Sequence, residues 1–90
     1  MEKCATDRNG AAVRVGDHVR VVHIPVDVYP TAEEAPYVNS MLGEIFEVED
    51  IDPLGCAEVT KWWKLDDSHS MSHSLNLAPG EIELVQRRGE

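Results

Sequence analysis

The stretch Met41 to Asp52, MLGEIFEVEDID, constrains the chain more than any other. After Gly43, apolar and acidic residues alternate, with Phe46 and Val48 on one side and Glu47 and Glu49 on the other. A period of two is what a strand buried on one face requires. Asp52-Pro53-Leu54-Gly55 then has Pro second and Gly fourth, the signature of a tight turn. Cys56 to Trp63 reads as the returning strand, which makes this the central hairpin of a small β-domain. Nothing in it is a catalytic motif.

Other short strands surround the hairpin. Val19 and Val21 alternate with Arg20 after the Gly16-Asp17 turn, and Pro25 ends that strand because it lacks a ladder donor. Ser74 to Leu77 alternates again, and Ala78-Pro79-Gly80 turns the chain into a final strand at Glu81 to Val85. Lys64 to Ser72 reads as an exposed distal loop. The expected fold is all-β: a small SH3-like barrel of five strands, closed to hide its edges, with one long loop after the first strand. The barrel is expected over residues 12–86, with tails at 1–11 and 87–90. The first tail is either mobile or a weak strand folded back at Asn9-Gly10. The expected core is Val19, Val21, Phe46, Val48, Val59, Leu75, Leu77, Ile82 and Leu84.

Ninety residues make one domain with a small core, burying about 60% of the unfolded surface. The chain has 17 Asp and Glu against 8 Lys and Arg, a formal charge of -9. That balance opposes nucleic-acid and anionic membrane surfaces and suits solubility or a basic protein partner. No apolar run approaches the roughly 18 residues that span a bilayer, and Met1 to Cys4 lacks a signal-peptide layout, so a cytoplasmic protein with free Cys4 and Cys56 is expected.

Pro25 to Leu42 is the unusual segment, with three prolines, Tyr29, Tyr37 and the acidic pair Glu33-Glu34. Thr31 to Glu34 has a capping-box pattern, so a helical turn is expected there before Pro36 stops it. A loop this long is usually functional or disordered. By alternation Trp63 shares a face with Val59, whereas Trp62 points the other way with Thr60. Trp62 is therefore either an exposed contact residue, of the type over-represented at interface hot spots, or is covered by the long loop. Tyr29, Glu33, Glu34, Tyr37 and Trp62 are the candidate partner-binding residues. Glu44, Glu47, Glu49, Asp50 and Asp52 form an acidic stripe that reads first as a solvent face.

Asp66, Asp67, His69 and His73 are residue types that hold metals, but without a helix the four-residue spacing does not converge both imidazoles, and the run reads as a solvated loop. Cys56 has no evident partner to activate it, so no catalysis is expected.

Three stretches carry a resemblance: Val15-Gly16-Asp17-His18-Val19-Arg20-Val21, Met41-Leu42-Gly43-Glu44-Ile45 and Glu81-Ile82-Glu83-Leu84. Together they resemble the electron-transport accessory group of SH3-like barrels. That group includes the variable chain of ferredoxin–thioredoxin reductase, the PsaE-type subunit of photosystem I and the C-terminal domain of the nitrile hydratase β subunit. The resemblance spans residues 13–85 and implies a non-catalytic accessory subunit without a cofactor, docked on a larger redox or metal enzyme. The acidic loop segment and the His/Ser-rich run at 64–74 depart from the group. The "GD-x-V" opening also occurs in nucleic-acid-binding KOW barrels. A KOW or Tudor-like nucleic-acid binder and a metal-binding protein using His69 and His73 are the alternative functions.

Overall fold

A computed structural model describes residues 4–24 and 35–89 of the chain. The fold is mostly β: three small antiparallel sheets and one short helix. Strands β1 (Cys4–Thr6) and β2 (Ala12–Arg14) form a two-stranded sheet. A second sheet has the order β4–β3–β8, from Ile45–Glu47, His18–Val21 and Ile82–Gln86. The third has the order β5–β6–β7, from Asp50–Ile51, Ala57–Lys64 and Ser70–Leu77. A 3₁₀ turn at Pro79–Glu81 leads into β8, with the Glu81 carboxylate accepting a hydrogen bond from the Ala78 N–H at 2.7 Å. No described helix is long and apolar enough to cross a membrane.

The strand expected over 41–52 is in fact two. Val48 N–H donates to Asp17 O at 2.8 Å, while Glu49 N–H donates to Glu58 O at 2.9 Å. Consecutive residues thus bond to different sheets, and the chain turns a corner between them. Strands that switch sheets at a bend are how small β-folds make corners. Val48 is fully buried at this point.

Two of the turns use one design. In Asp7-Arg8-Asn9-Gly10-Ala11 and Asp52-Pro53-Leu54-Gly55-Cys56 the Asp N–H donates to the fifth residue's carbonyl, both at 2.9 Å. In each the Asp Oδ1 accepts from the third and fifth N–H groups, at 2.8 to 2.9 Å. Gly10 and Gly55 sit at φ 83° and 84°, the left-handed conformation that closes such a turn and that side chains resist.

The core joins both larger sheets. Val19, Val21, Val48, Val59, Leu75, Leu77 and Ile82 are buried as expected, while Phe46 and Leu84 are half-buried against them. Ala5, Val13, Val38, Met41, Ile51 and Ala57 complete it. Val38 comes from α1 (Ala35–Asn39), which Pro36 opens rather than stops. Proline is tolerated in a first helical turn, where its missing N–H has no partner in any case. The helical turn expected at Thr31 to Glu34 lies outside the described residues.

Two further expectations are corrected. The distal loop is only residues 65–69, because β6 and β7 continue their ladder to Lys64 and Ser70. Among the described residues there is no closed barrel. The outer edge of β8 is taken by the first turn, with Arg8 N–H on Ile82 O at 2.9 Å and Leu84 N–H on Asp7 Oδ2 at 2.8 Å. Cys4–Thr6 is a strand paired with β2 across the Asn9-Gly10 turn, and the Arg88 N–H donates to Asp17 Oδ1 at 2.7 Å.

Asp7 and Asp17 are the buried carboxylates among the described residues, 4% and 3% exposed. Burial pushes each carboxyl up, but backbone N–H donors outweigh it. For Asp7 these come from Leu84, Ala11 and Asn9, and for Asp17 from Arg88 and Arg14, so both groups titrate below the ordinary range. A lowered folded pKa stabilises above the unfolded value, about 3.9, and that contribution fades as pH falls through the folded value. Urea midpoints are therefore expected to drop steeply below about pH 4. Asp17→Asn puts an amide NH₂ where an acceptor is needed, so it should cost roughly 2 kcal/mol at pH 7 and flatten that acid limb. An unchanged acid limb in the variant would contradict this role.

Candidate functional site on the long hairpin

The β6–β7 hairpin is the longest paired unit, and its two faces differ. Registers Ala57↔Leu77, Val59↔Leu75, Lys61↔His73 and Trp63↔Met71 alternate with Glu58↔Asn76, Thr60↔Ser74, Trp62↔Ser72 and Lys64↔Ser70. The first set faces the core, buried at the base and half-buried toward the tip.

On the inner face, Trp63 is held by its neighbours. The Tyr37 ring meets it edge-on at 5.3 Å and 76°, and the His73 ring at 5.9 Å and 78°. The Lys61 ammonium lies 5.1 Å from the Trp63 ring centroid and is also bonded to Glu44 and, at 3.4 Å, to Ser40 Oγ. Edge-on aromatic pairs and a cation over an indole each add modest stabilisation beyond burial. Tyr37, Trp63, His73 and Lys61 thus tie α1 to the upper half of the hairpin. The Nε2 of His73 is buried with no hydrogen-bond partner among the described residues.

The outer face is built differently. Ser70, Ser72, Ser74 and Asn76 form a row of short polar side chains along β7. Thr60 Oγ1 and Ser74 Oγ share a hydrogen bond at 2.8 Å. Trp62 stands among them, 68% exposed. An indole exposed above small neighbours is a large apolar area that any contact there would bury. Beside it an open cleft of about 470 Å³ is lined by residues Trp62 to Lys64 and by Asp66, Asp67 and His69.

The tip is fixed by Asp66. Its Oδ1 accepts from the Ser68 N–H at 2.8 Å and meets His69 Nδ1 at 2.9 Å. The His69 bond, then that of Ser68, holds the Asp66 carboxyl below its ordinary range. Asp67 lies 3.9 Å from the Lys64 ammonium. His73 is four residues on and faces inward, roughly 13 Å along an extended chain. Asp66, Asp67, His69 and His73 therefore do not gather around one point. Among the described residues no three His, Cys, Asp or Glu side chains converge.

The other candidates divide in the same way. Tyr37 packs on Trp63, on the opposite face from Trp62, so the two do not form one patch. Tyr29, Glu33 and Glu34 lie outside the described residues. Of the acidic stripe, Glu44 is bonded to Lys61, Asp52 caps its own turn, and Glu47, Glu49 and Asp50 are exposed residues. Cys4 is exposed, Cys56 is half-buried, and no disulfide joins them. The residues missed in the sequence are the serines. Their signal, Ser68, Ser70, Ser72 and Ser74 at a spacing of two, is a strand period.

The two tryptophans should separate in mutagenesis. Trp63→Ala is expected to cost roughly 2 kcal/mol, less than a fully buried aromatic because its site is only half-buried. Trp62→Ala is expected to stay within about 0.5 kcal/mol of wild type in urea unfolding. Equal losses would mean that the indoles are not on opposite faces. No family model matches the chain, and neither a curated protein nor a solved structure matches it.

Proposed function

We propose that the chain is a non-catalytic protein-interaction domain, of the accessory-subunit kind, that docks a larger protein through Trp62 and the surrounding outer face of β6–β7. The observation that carries this is the 68% exposure of Trp62 on a face whose other members are small or polar. Such a side chain supplies a central apolar anchor, and the hydroxyls and amide around it supply an adaptable polar rim.

We also read the fold as an open SH3-like barrel. In support are the strand that turns a corner at Val48, the long connection between β3 and β4, the 3₁₀ turn before the last strand, and the antiparallel pairing of that strand with β3. The three stretches that resemble electron-transport accessory subunits fall in β3, at the entry to β4, and in β8, all parts of the scaffold. They favour a redox or metal enzyme as the docked protein.

Charge narrows the partner's chemistry. The formal charge is -9, and Glu58, Asp66 and Asp67 flank the indole against a single Lys64. A complementary surface carries an apolar pocket rimmed by Lys or Arg, which speeds encounter and loses strength with added salt.

The test is quantitative capture from the host lysate with wild-type and Trp62→Ala baits. A stoichiometric protein is expected on wild type and at least tenfold less on the variant, with circular dichroism of the two baits superimposable. Equal recovery on both baits would overturn the assignment of the site.

A further inference from the structure

The β7 strand has an outer edge that the rest of the molecule leaves bare among the described residues. The Leu65 N–H donates to His69 O at 3.0 Å, which makes that the hydrogen-bonded pair nearest the tip. Alternation then makes Trp63↔Met71, Lys61↔His73, Val59↔Leu75 and Ala57↔Leu77 hydrogen-bonded. The opposite side of β6 agrees, since Cys56 and Glu58 carbonyls accept from Asp52 and Glu49 toward β5. Ser70, Ser72, Ser74 and Asn76 consequently direct their N–H and C=O groups away from β6.

The other sheet edges are protected. β1, β4 and β5 have three residues or fewer. Ala12 on β2 is covered by the Arg87 guanidinium at 3.0 Å, and β8 by Asp7 and Arg8. Short strands, charges, prolines and bulges are the usual protections of an edge. β7 has none of these: it is eight residues long, pairs with β6 without a register shift, and has no Pro, Asp, Glu, Lys or Arg.

We infer that β7 pairs antiparallel with β7 of a second copy, making a symmetric dimer with one continuous six-stranded sheet. The occupant follows from the make-up of the edge. Two chains of -9 repel each other, and an eight-residue strand without a charged side chain is where they approach at least cost. The register of full overlap sets Ser72 against Ser74 and Ser70 against Asn76 across the two-fold axis. On the outer face each of these pairs is short and polar and sets no like charges opposite, while on the inner face the same register sets His73 against its own copy and Met71 against Leu75. The edge is self-complementary, as a two-fold interface must be. Both copies of Trp62 then lie on the same face of the joined sheet and stay open, so this inference does not depend on the Trp62 reading. A dimer would present two anchors to a partner.

Sedimentation and light scattering of the full chain over a concentration series, at low and moderate salt, test it. Wild type is expected to dimerise, more strongly with salt because screening reduces the repulsion. Ser72→Pro removes an outward N–H without touching the β6 ladder, and Ser74→Lys places like charges across the axis. Each is expected to weaken the dimer at least tenfold with circular dichroism unchanged. If Ser72→Pro does not fold, Ser74→Lys decides. Hydrogen exchange at the Ser72 and Ser74 amides should slow as concentration rises. A wild type that stays monomeric at the highest concentration and moderate salt overturns the inference, as does a dimer that survives in the folded variants.

Discussion

Asp17 is the group on which the rest of the structure depends. Its carboxylate accepts the backbone N–H of Arg14 at 2.9 Å and of Arg88 at 2.7 Å. Its own carbonyl accepts from Val48 at 2.8 Å, and the Val48 carbonyl accepts from Gly16 at 2.9 Å. One buried residue thereby links the end of β2, the start of β3, the corner between the larger sheets and the C-terminal segment. Hydrogen bonds to an ionised acceptor are the strong ones, and leaving their donors unpaired in a buried place is costly. With thirteen buried hydrophobic side chains among the described residues, such an anchor matters more than it would in a larger domain.

From that corner outward the molecule divides into two parts. The lower half of β6–β7 belongs to the core through Ala57, Val59, Leu75 and Leu77. The upper half extends beyond it and, among the described residues, is supported on one side, by Tyr37, the Lys61–Glu44 pair and His73 around Trp63. That support holds the far side of the hairpin in place while leaving it in water. The outcome is a rigid platform with an indole on it, which suits recognition because little conformational freedom is lost when a partner arrives.

Much of the scaffold was legible in the sequence because it rests on alternation. The valines of β3, the strands around the central turn and the opposite facing of Trp62 and Trp63 all follow from a period of two. The corner at Val48 was not legible, since a strand that changes sheets keeps its alternation and only its partners differ. The length of β7 was hidden by composition: Ser and His are weak strand formers, and a cross-strand ladder with Lys61 to Lys64 holds them extended. Asp7 and Asp17 look like surface turn residues. Their burial comes from Leu84 and Arg88, more than seventy positions away, which local pattern does not reach. At the candidate site, parity put Trp62 opposite Trp63 but left open whether the long loop covers it. The separation of Tyr37 from it depends on which face α1 covers, a tertiary matter.

The central claim is that Trp62 stands open to solvent on a rigid hairpin while Trp63 is held within it. Tryptophan fluorescence of two single-indole variants measures this directly. Trp63→Phe leaves only Trp62, which should emit like indole in water and be quenched readily by acrylamide at protein concentrations low enough to be monomeric. Trp62→Phe leaves only Trp63, which should emit at shorter wavelength and resist quenching. A shielded, blue-shifted Trp62 would contradict the account, because an indole already covered within the chain is not available to anchor a partner.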